Sequence, residues 1–233
     1  MYGKYQNENN TDLGVALIKF DREGNILWEQ LHGDENRQAP YTLINTNDGG
    51  YLISGWEQVS SNPTQGYILK LDSLGNEEWH KNHTLSEEGY SNLGFAQQTK
   101  DGGYVLSSYG YFPGRKIDMY IVKTDSLGNL EWKQNYGSTE EDWGCQILEL
   151  SQGGYFVSGA KYRFGDTHNY FAKLNELGEI IWDKDIYIRD GGSALLQTTS
   201  NNEFIGFGGF RENNIPRQPM LIRITSRGDT LWT

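Results

Sequence analysis

An all-β fold built from repeated four-stranded units is what the sequence predicts, and three observations carry the prediction. A phrase of the form D-x-x-G-x-x-x-W, seen as "FDREGNILW" from Phe20 and "LDSLGNEEW" from Leu71, returns along the whole chain. Its tryptophans, Trp28, Trp79, Trp132, Trp182 and Trp232, stand 51, 53, 50 and 50 residues apart, and Gly24, Gly75, Gly128, Gly178 and Gly228 keep the same steps. A second phrase interleaves with it: "DGGYLISG" from Asp48, "DGGYVLSS" from Asp101, "QGGYFVSG" from Gln152 and the weaker "NNEFIGFG" from Asn201. Helical periodicity is absent, while 29 glycines and 13% aromatic residues suit short strands, tight turns and a core carried by a few large rings.

Two phrases per period mean two hairpins per unit. In "LDSLGNEEW" Asp72 is placed to accept hydrogen bonds from backbone amides of the turn, and Gly75 to take the positive φ of a bulged hairpin. Pairing Asp72 with Asn76 puts Leu69 opposite Trp79 and Lys70 opposite Glu78. Trp79 then shares the face of Leu69 and Leu71. In "NDGGYLISG" the Asp-Gly-Gly tip makes the other hairpin, and Ser54 and Gly55 leave room for a ring from the neighbouring sheet. The first complete unit therefore has strand a at Tyr41 to Thr46, b at Tyr51 to Glu57, c at Tyr67 to Asp72 and d at Glu77 to Lys81.

Four-stranded antiparallel units of this length cannot bury both faces alone and stack on their neighbours as the blades of a β-propeller. The units run over residues 1–31, 32–83, 84–136, 137–186 and 187–233. The first is incomplete, because "YGKYQNENNTD" matches the end of strand b and the b-to-c loop. The chain reads as a fragment of a larger propeller in preference to a five-unit ring with a defective first blade, so further blades or domains of the same natural chain are implied neighbours.

"DGGYLISG" followed by "YILKLDSLGNEEWHKN" resembles the repeat of large bacterial propeller proteins that are mostly secreted or surface-attached. The resemblance spans essentially the whole chain. It implies an extracellular, cell-surface or periplasmic location and says nothing specific about activity. The same D-x-x-G-x-x-x-W rhythm is similar to the tryptophan docking motif of quinoprotein dehydrogenases, but their A-x-D-x-x-T-G run is missing.

Composition narrows the partners. A formal net charge of -11 repels phosphate backbones and excludes nucleic acid as a natural ligand. No apolar run approaches the roughly 20 residues that span a bilayer, so membrane insertion is not expected. Cys145, the single cysteine, permits no internal disulfide, and as a small thiol in strand a it reads as core. His80 and His83 fall on opposite faces of a strand and do not form a metal pair. Lys19, Lys70, Lys123, Lys173 and Arg223 recur at one strand position, which implies packed stems whose heads pair with acids such as Glu78.

In a propeller, strand a lies nearest the axis, and the d-to-a and b-to-c loops share one face. The d-to-a loops carry Asp34, Glu35, Glu87, Glu88, Glu141, Asp142 and Asp190 at corresponding places around the channel mouth. Converging carboxylates would suit a hard cation such as calcium. The competing reading is that they cap strand starts or stay solvated, and no D-x-D-x-D-G loop is present. No other cofactor is implied.

The b-to-c loops differ in every unit and offer Tyr109, Tyr111, Phe112, Arg115, Tyr162, Arg163, Phe164, Arg211 and Arg217, the ring and guanidinium types that dominate contacts with proteins and sugars. The expected function is a non-catalytic scaffold binding a protein or polysaccharide through this face. The alternatives are a polysaccharide-active enzyme with carboxylates at the channel mouth and a structural spacer of a larger surface protein. The reading leans away from an enzyme because the acids occupy repeat-equivalent positions, where glycoside hydrolysis needs one particular pair.

Overall fold

The computed structural model describes residues 2–6, 12–33, 36–59, 63–84, 89–111, 116–138, 140–187, 195–198, 203–210 and 218–232. They form five antiparallel sheets. The first has three strands, β1 (Tyr2–Gln6), β2 (Asp12–Phe20) and β3 (Ile26–His32), in the b, c and d positions. The second holds β4 (Arg37–Asn45), β5 (Tyr51–Gln58), β6 (Gln65–Leu71) and β7 (Glu77–His83), in the order a-b-c-d. The third follows as β8 (Phe95–Gln98), β9 (Tyr104–Tyr111), β10 (Ile117–Thr124) and β11 (Leu130–Asn135), and the fourth as β12 (Asp142–Glu149), β13 (Tyr155–Arg163), β14 (Asp166–Leu174) and β15 (Ile180–Tyr187). The last comprises β16 (Leu195–Thr198), β17 (Phe204–Phe210), β18 (Gln218–Ile224) and β19 (Thr230–Trp232). Strands β4, β8, β12 and β16 approach one another along the inside, as the a strands of a propeller do. No helix of the described residues is long and apolar enough to cross a membrane.

The c-d turn is built as its residues require. Asp72 Oδ1 accepts the amides of Leu74 and Asn76, both at 2.8 Å, and Gly75 takes φ +82°. Asp125, Asn175 and Thr225 repeat the arrangement in the later sheets. The turn also shifts the register: Lys70 pairs with Trp79 and Leu71 with Glu77, leaving Glu78 as the bulged residue. The expected Leu69–Trp79 pair is therefore corrected to Leu69–His80. A one-residue slip moves a side chain to the other face, so Trp79 joins Ile68, Leu52 and Tyr104 against the third sheet and not Leu69 and Leu71.

That correction explains why tryptophan and glycine recur together. A Cβ on Gly128 would lie 2.6 Å from the Trp79 ring, one on Gly178 2.7 Å from Trp132, and one on Gly228 3.0 Å from Trp182. Each tryptophan covers the turn glycine of the next sheet, and the indoles of Trp132 and Trp182 donate to the carbonyls of Glu176 and Ser226 at 3.1 Å. The room at Gly55 has a different user from the one expected. A Cβ there would lie 2.0 Å from the carbonyl oxygen of Ala39 and 2.9 Å from the Tyr67 ring, both of its own sheet.

The repeated basic residue ties the two phrases together. Lys70 Nζ, buried, lies 2.8 Å from Asp48 and 2.7 Å from Glu78, and Lys123 holds Asp101 and Glu131 at 2.9 and 2.8 Å. Hydrogen bonding from Lys70 is the main cause that lowers Asp48 to about 2. Burial pushes Asp101 up, but hydrogen bonds from Thr99 and Lys123 outweigh it and leave it at about 2 as well. Both lie below the ordinary 3.8, so their contribution to stability is full above about pH 4 and is lost as pH falls toward 2. The Tm is expected to fall over that window. A Lys70→Met/Lys123→Met double variant should show a flatter profile, and an equally steep one would remove these pairs as the cause.

Candidate functional site

Two a strands are irregular at the same end. In β4 the pairing jumps from Pro40–Gly55 to Thr42–Ser54 and leaves Tyr41 as the extra residue, and β12 shifts register between Trp143 and Gln146. A bulge re-aims side chains next to it. Tyr41 and Trp143 both line a concavity of about 300 Å³, which is completed by Trp56, Thr64, Tyr90, Asn92, Tyr109 and Ile117. Four rings from three sheets, with Tyr90 from the β7–β8 connection, thus converge on it.

The rings are held in place. Tyr109 lies 6.2 Å from Trp143, centre to centre, and Tyr90 stacks on Tyr111 at 5.9 Å with planes 13° apart. Burial raises the pKa of the Tyr41 phenol, with Tyr109 adding to the effect and a hydrogen bond to Trp56 opposing it. The Tyr90 phenol is raised first by burial and then by Tyr109, Glu141 and Tyr111. Tyr41, Tyr90 and Trp143 remain 44%, 39% and 42% exposed. Flat apolar faces rimmed by hydroxyl and amide groups, open to solvent, are chemically suited to sugar rings.

Behind the cleft, Glu57 follows Trp56 on β5 but faces the first sheet. It is buried and hydrogen-bonded to Gln38 at 2.8 Å and to Asn82 at 3.1 Å, with His80 Nε2 at 3.2 Å. Burial pushes its pKa up, yet these three partners together bring it below the usual value. Glu57 acts as an anchor for the end of β5.

Of the residues singled out from sequence, Tyr109 lines the cleft and Tyr111 braces Tyr90. Tyr162 and Phe164 are exposed on the fourth sheet. Arg163 is an internal brace, bonded to Ser138 Oγ at 2.8 Å and to Asp142 at 3.2 Å. Phe112, Arg115, Arg211 and Arg217 lie outside the described residues, as do Asp34, Glu35, Glu87, Glu88 and Asp190. Asp142, expected at the channel mouth as a cation ligand, is fully buried and accepts the Ser138 amide at 2.6 Å. Among the described residues no group of three or more His, Cys, Asp or Glu could hold a metal ion. Tyr41, Trp56, Tyr90 and Trp143 were not anticipated; the signal was present in strand b, where Trp56, Tyr109 and Ala160 differ at one repeat position.

At the tip of the β13–β14 hairpin, Phe164 and Gly165 take φ of +53° and +86°. Two positive φ values in a two-residue loop are the pattern that Asn-Gly satisfies. A phenylalanine there costs about 1–2 kcal/mol in backbone strain, and Phe164 is 100% exposed, so it recovers nothing by burial.

Fold and cleft together define a β-propeller with an aromatic mouth. Solved structures to which the chain is similar include an endo-arabinase from Bacteroides thetaiotaomicron, at a TM-score of 0.53 and 14% identity, covering 94% of this chain and 87% of that one. A protein from Dyadobacter fermentans gives 0.60 at 15% identity, covering 93% and 65%. A GH43 β-1,3-galactosidase, solved with galactodeoxynojirimycin, gives 0.54 at 10% identity, covering 100% and 90%. Among curated proteins the chain resembles the regulatory protein FlaEY of Caulobacter vibrioides, 24% identical over 185 residues. That match takes 69% of this chain but 19% of the relative, so the chain spans about a fifth of that protein's length. No protein-family model matches the chain.

The expectation of a non-catalytic scaffold, and the lean away from an enzyme, are overturned by these comparisons. Two of the three solved structures are an endo-arabinase and a β-1,3-galactosidase.

Proposed function

We propose that the chain is a polysaccharide-active enzyme that binds a neutral glycan in the cleft of Tyr41, Trp56, Tyr90, Tyr109 and Trp143. The observation that carries this reading is the cleft itself, where two strand bulges turn Tyr41 and Trp143 toward rings of the adjoining sheets. None of its eight lining residues is charged, which favours a neutral sugar over a uronic acid. The likeness to an endo-arabinase and a β-1,3-galactosidase supports arabinose- or galactose-containing polymers as substrates. An extracellular or periplasmic location goes with this reading, because such polymers are met outside the cell membrane, and it agrees with the resemblance to secreted repeat proteins.

Hydrolysis of a glycosidic bond requires a general acid and a second carboxylate about 5 to 10 Å away. Glu141, half-buried and two residues before Trp143 of the cleft, is assigned to one of these roles. The other is assigned to a second acid of the d-to-a connections, where the repeat places its acids. The test is release of reducing ends from arabinan, β-1,3-galactan and xylan. Wild type is expected to act on at least one, and Glu141→Gln to lower kcat by 100-fold or more, given what general acid catalysis typically contributes, about 10²–10⁴. Binding without any cleavage would contradict the enzymatic reading, and unchanged kcat in Glu141→Gln would remove that residue from it.

A further inference from the structure

We propose a second carbohydrate-binding surface outside the cleft, formed by Phe164, His168 and Tyr187 on the fourth sheet, which holds a polysaccharide chain while the cleft acts on it. Three observations converge on it. Phe164 stands fully exposed at the tip of the β13–β14 hairpin in a backbone conformation that suits asparagine and not phenylalanine, so neither burial nor turn geometry accounts for the ring. The ring is also not isolated: its centre lies 6.4 Å from that of His168, which lies 5.0 Å from Tyr187. Finally, Tyr187 is 56% exposed, yet its hydroxyl donates to Asp166 Oδ2 at 2.9 Å, which fixes the last ring of the row.

The planes of neighbouring rings stand 54° and 59° to one another, so each ring offers its own face to one sugar of a chain that turns between residues, and stacking requires no charge. The row also joins the cleft rim through the backbone. The amide of Tyr162, two residues before Phe164, donates to the carbonyl of Glu141 at 2.9 Å. A glycan lying along Phe164 would thus be led toward Glu141 and, two residues on, Trp143 of the cleft. The inference rests on the polysaccharide reading above, and its test separates the two.

Affinity electrophoresis of the whole chain in gels containing arabinan or β-1,3-galactan measures retention on long chains, and hydrolysis of short oligosaccharides measures the cleft. Phe164→Asn gives the turn its preferred residue, so its Tm is expected to rise by about 2–4 °C, and loss of binding could not be ascribed to misfolding. Retention is expected to weaken by about two- to tenfold in Phe164→Asn and in Tyr187→Ala, the range for one lost aromatic contact, while oligosaccharide cleavage stays at the wild-type rate. Trp143→Ala should do the reverse, abolishing cleavage while keeping the part of retention that Phe164 supplies. Equal retention of wild type, Phe164→Asn and Tyr187→Ala would overturn the second surface even if cleavage is established. No retention of wild type in either gel would overturn it too.

Discussion

Replacing Gly128 by valine is expected to destabilise the chain by about 3–5 kcal/mol, lowering Tm by roughly 10 °C. Two separate terms make up that cost. Gly128 takes φ +76°, a conformation that a β-branched residue adopts only with strain, and any Cβ there would lie 2.6 Å from the Trp79 ring of the preceding sheet. The repeat supplies its own control. Gly24 has φ +89° but nothing within 4 Å of an added Cβ, so Gly24→Val should show only the backbone part, about 1–2 kcal/mol. Combining Gly128→Val with Trp79→Ala removes the clash and should leave a coupling of about 1–3 kcal/mol between the two sites. Strict additivity would mean that Trp79 does not clamp the next turn.

The second large effect is expected at Glu57. Its buried carboxylate meets Gln38, Asn82 and His80, so Glu57→Ala leaves the buried Gln38 amide without its partner and removes the ties to His80 and to the exposed Asn82. A loss of about 2–4 kcal/mol is expected by denaturant titration. Glu57→Gln retains the shape and part of the bonding and should lose about half as much. The neighbouring Trp56 belongs to the cleft, so the alanine variant should also loosen substrate binding and raise KM. A Glu57→Ala protein of wild-type stability would show that the cage does not hold β5.

The fold was legible because its determinants are local. Asp72 with Gly75, and Asp48 with Gly49, specify turns whatever surrounds them, and a repeat multiplies the signal five times. Strand register was less legible, since one bulged residue, Glu78, decides the face on which Trp79 lies. The partners of Lys70 could be read in part. Glu78 follows from the hairpin, whereas Asp48 lies 22 positions away in the other phrase and meets Lys70 only once the sheet has formed.

The cleft was the least legible element, for a physical reason. Four of its five rings come from strand positions, and sequence reasoning assigns strand aromatics to the core unless pairing irregularities are known. Tyr41 is turned out by a bulge at Pro40 and Thr42 that no turn residue announces. Arg163 erred in the opposite direction: a loop arginine reads as an exposed recognition group, yet Asp142 and Ser138 hold it as a brace. Variation between units coincides with the cleft at Trp56 and Tyr109, at strand ends as well as in loops.

The most direct measurement is chromatography of an oligosaccharide ladder of arabinan or β-1,3-galactan after incubation with wild type and with a Trp56→Ala/Trp143→Ala double variant. Wild type is expected to give progressively shorter products, and the variant an unchanged ladder. A ladder left intact by wild type, or shortened equally by both proteins, would contradict the enzymatic reading of the cleft.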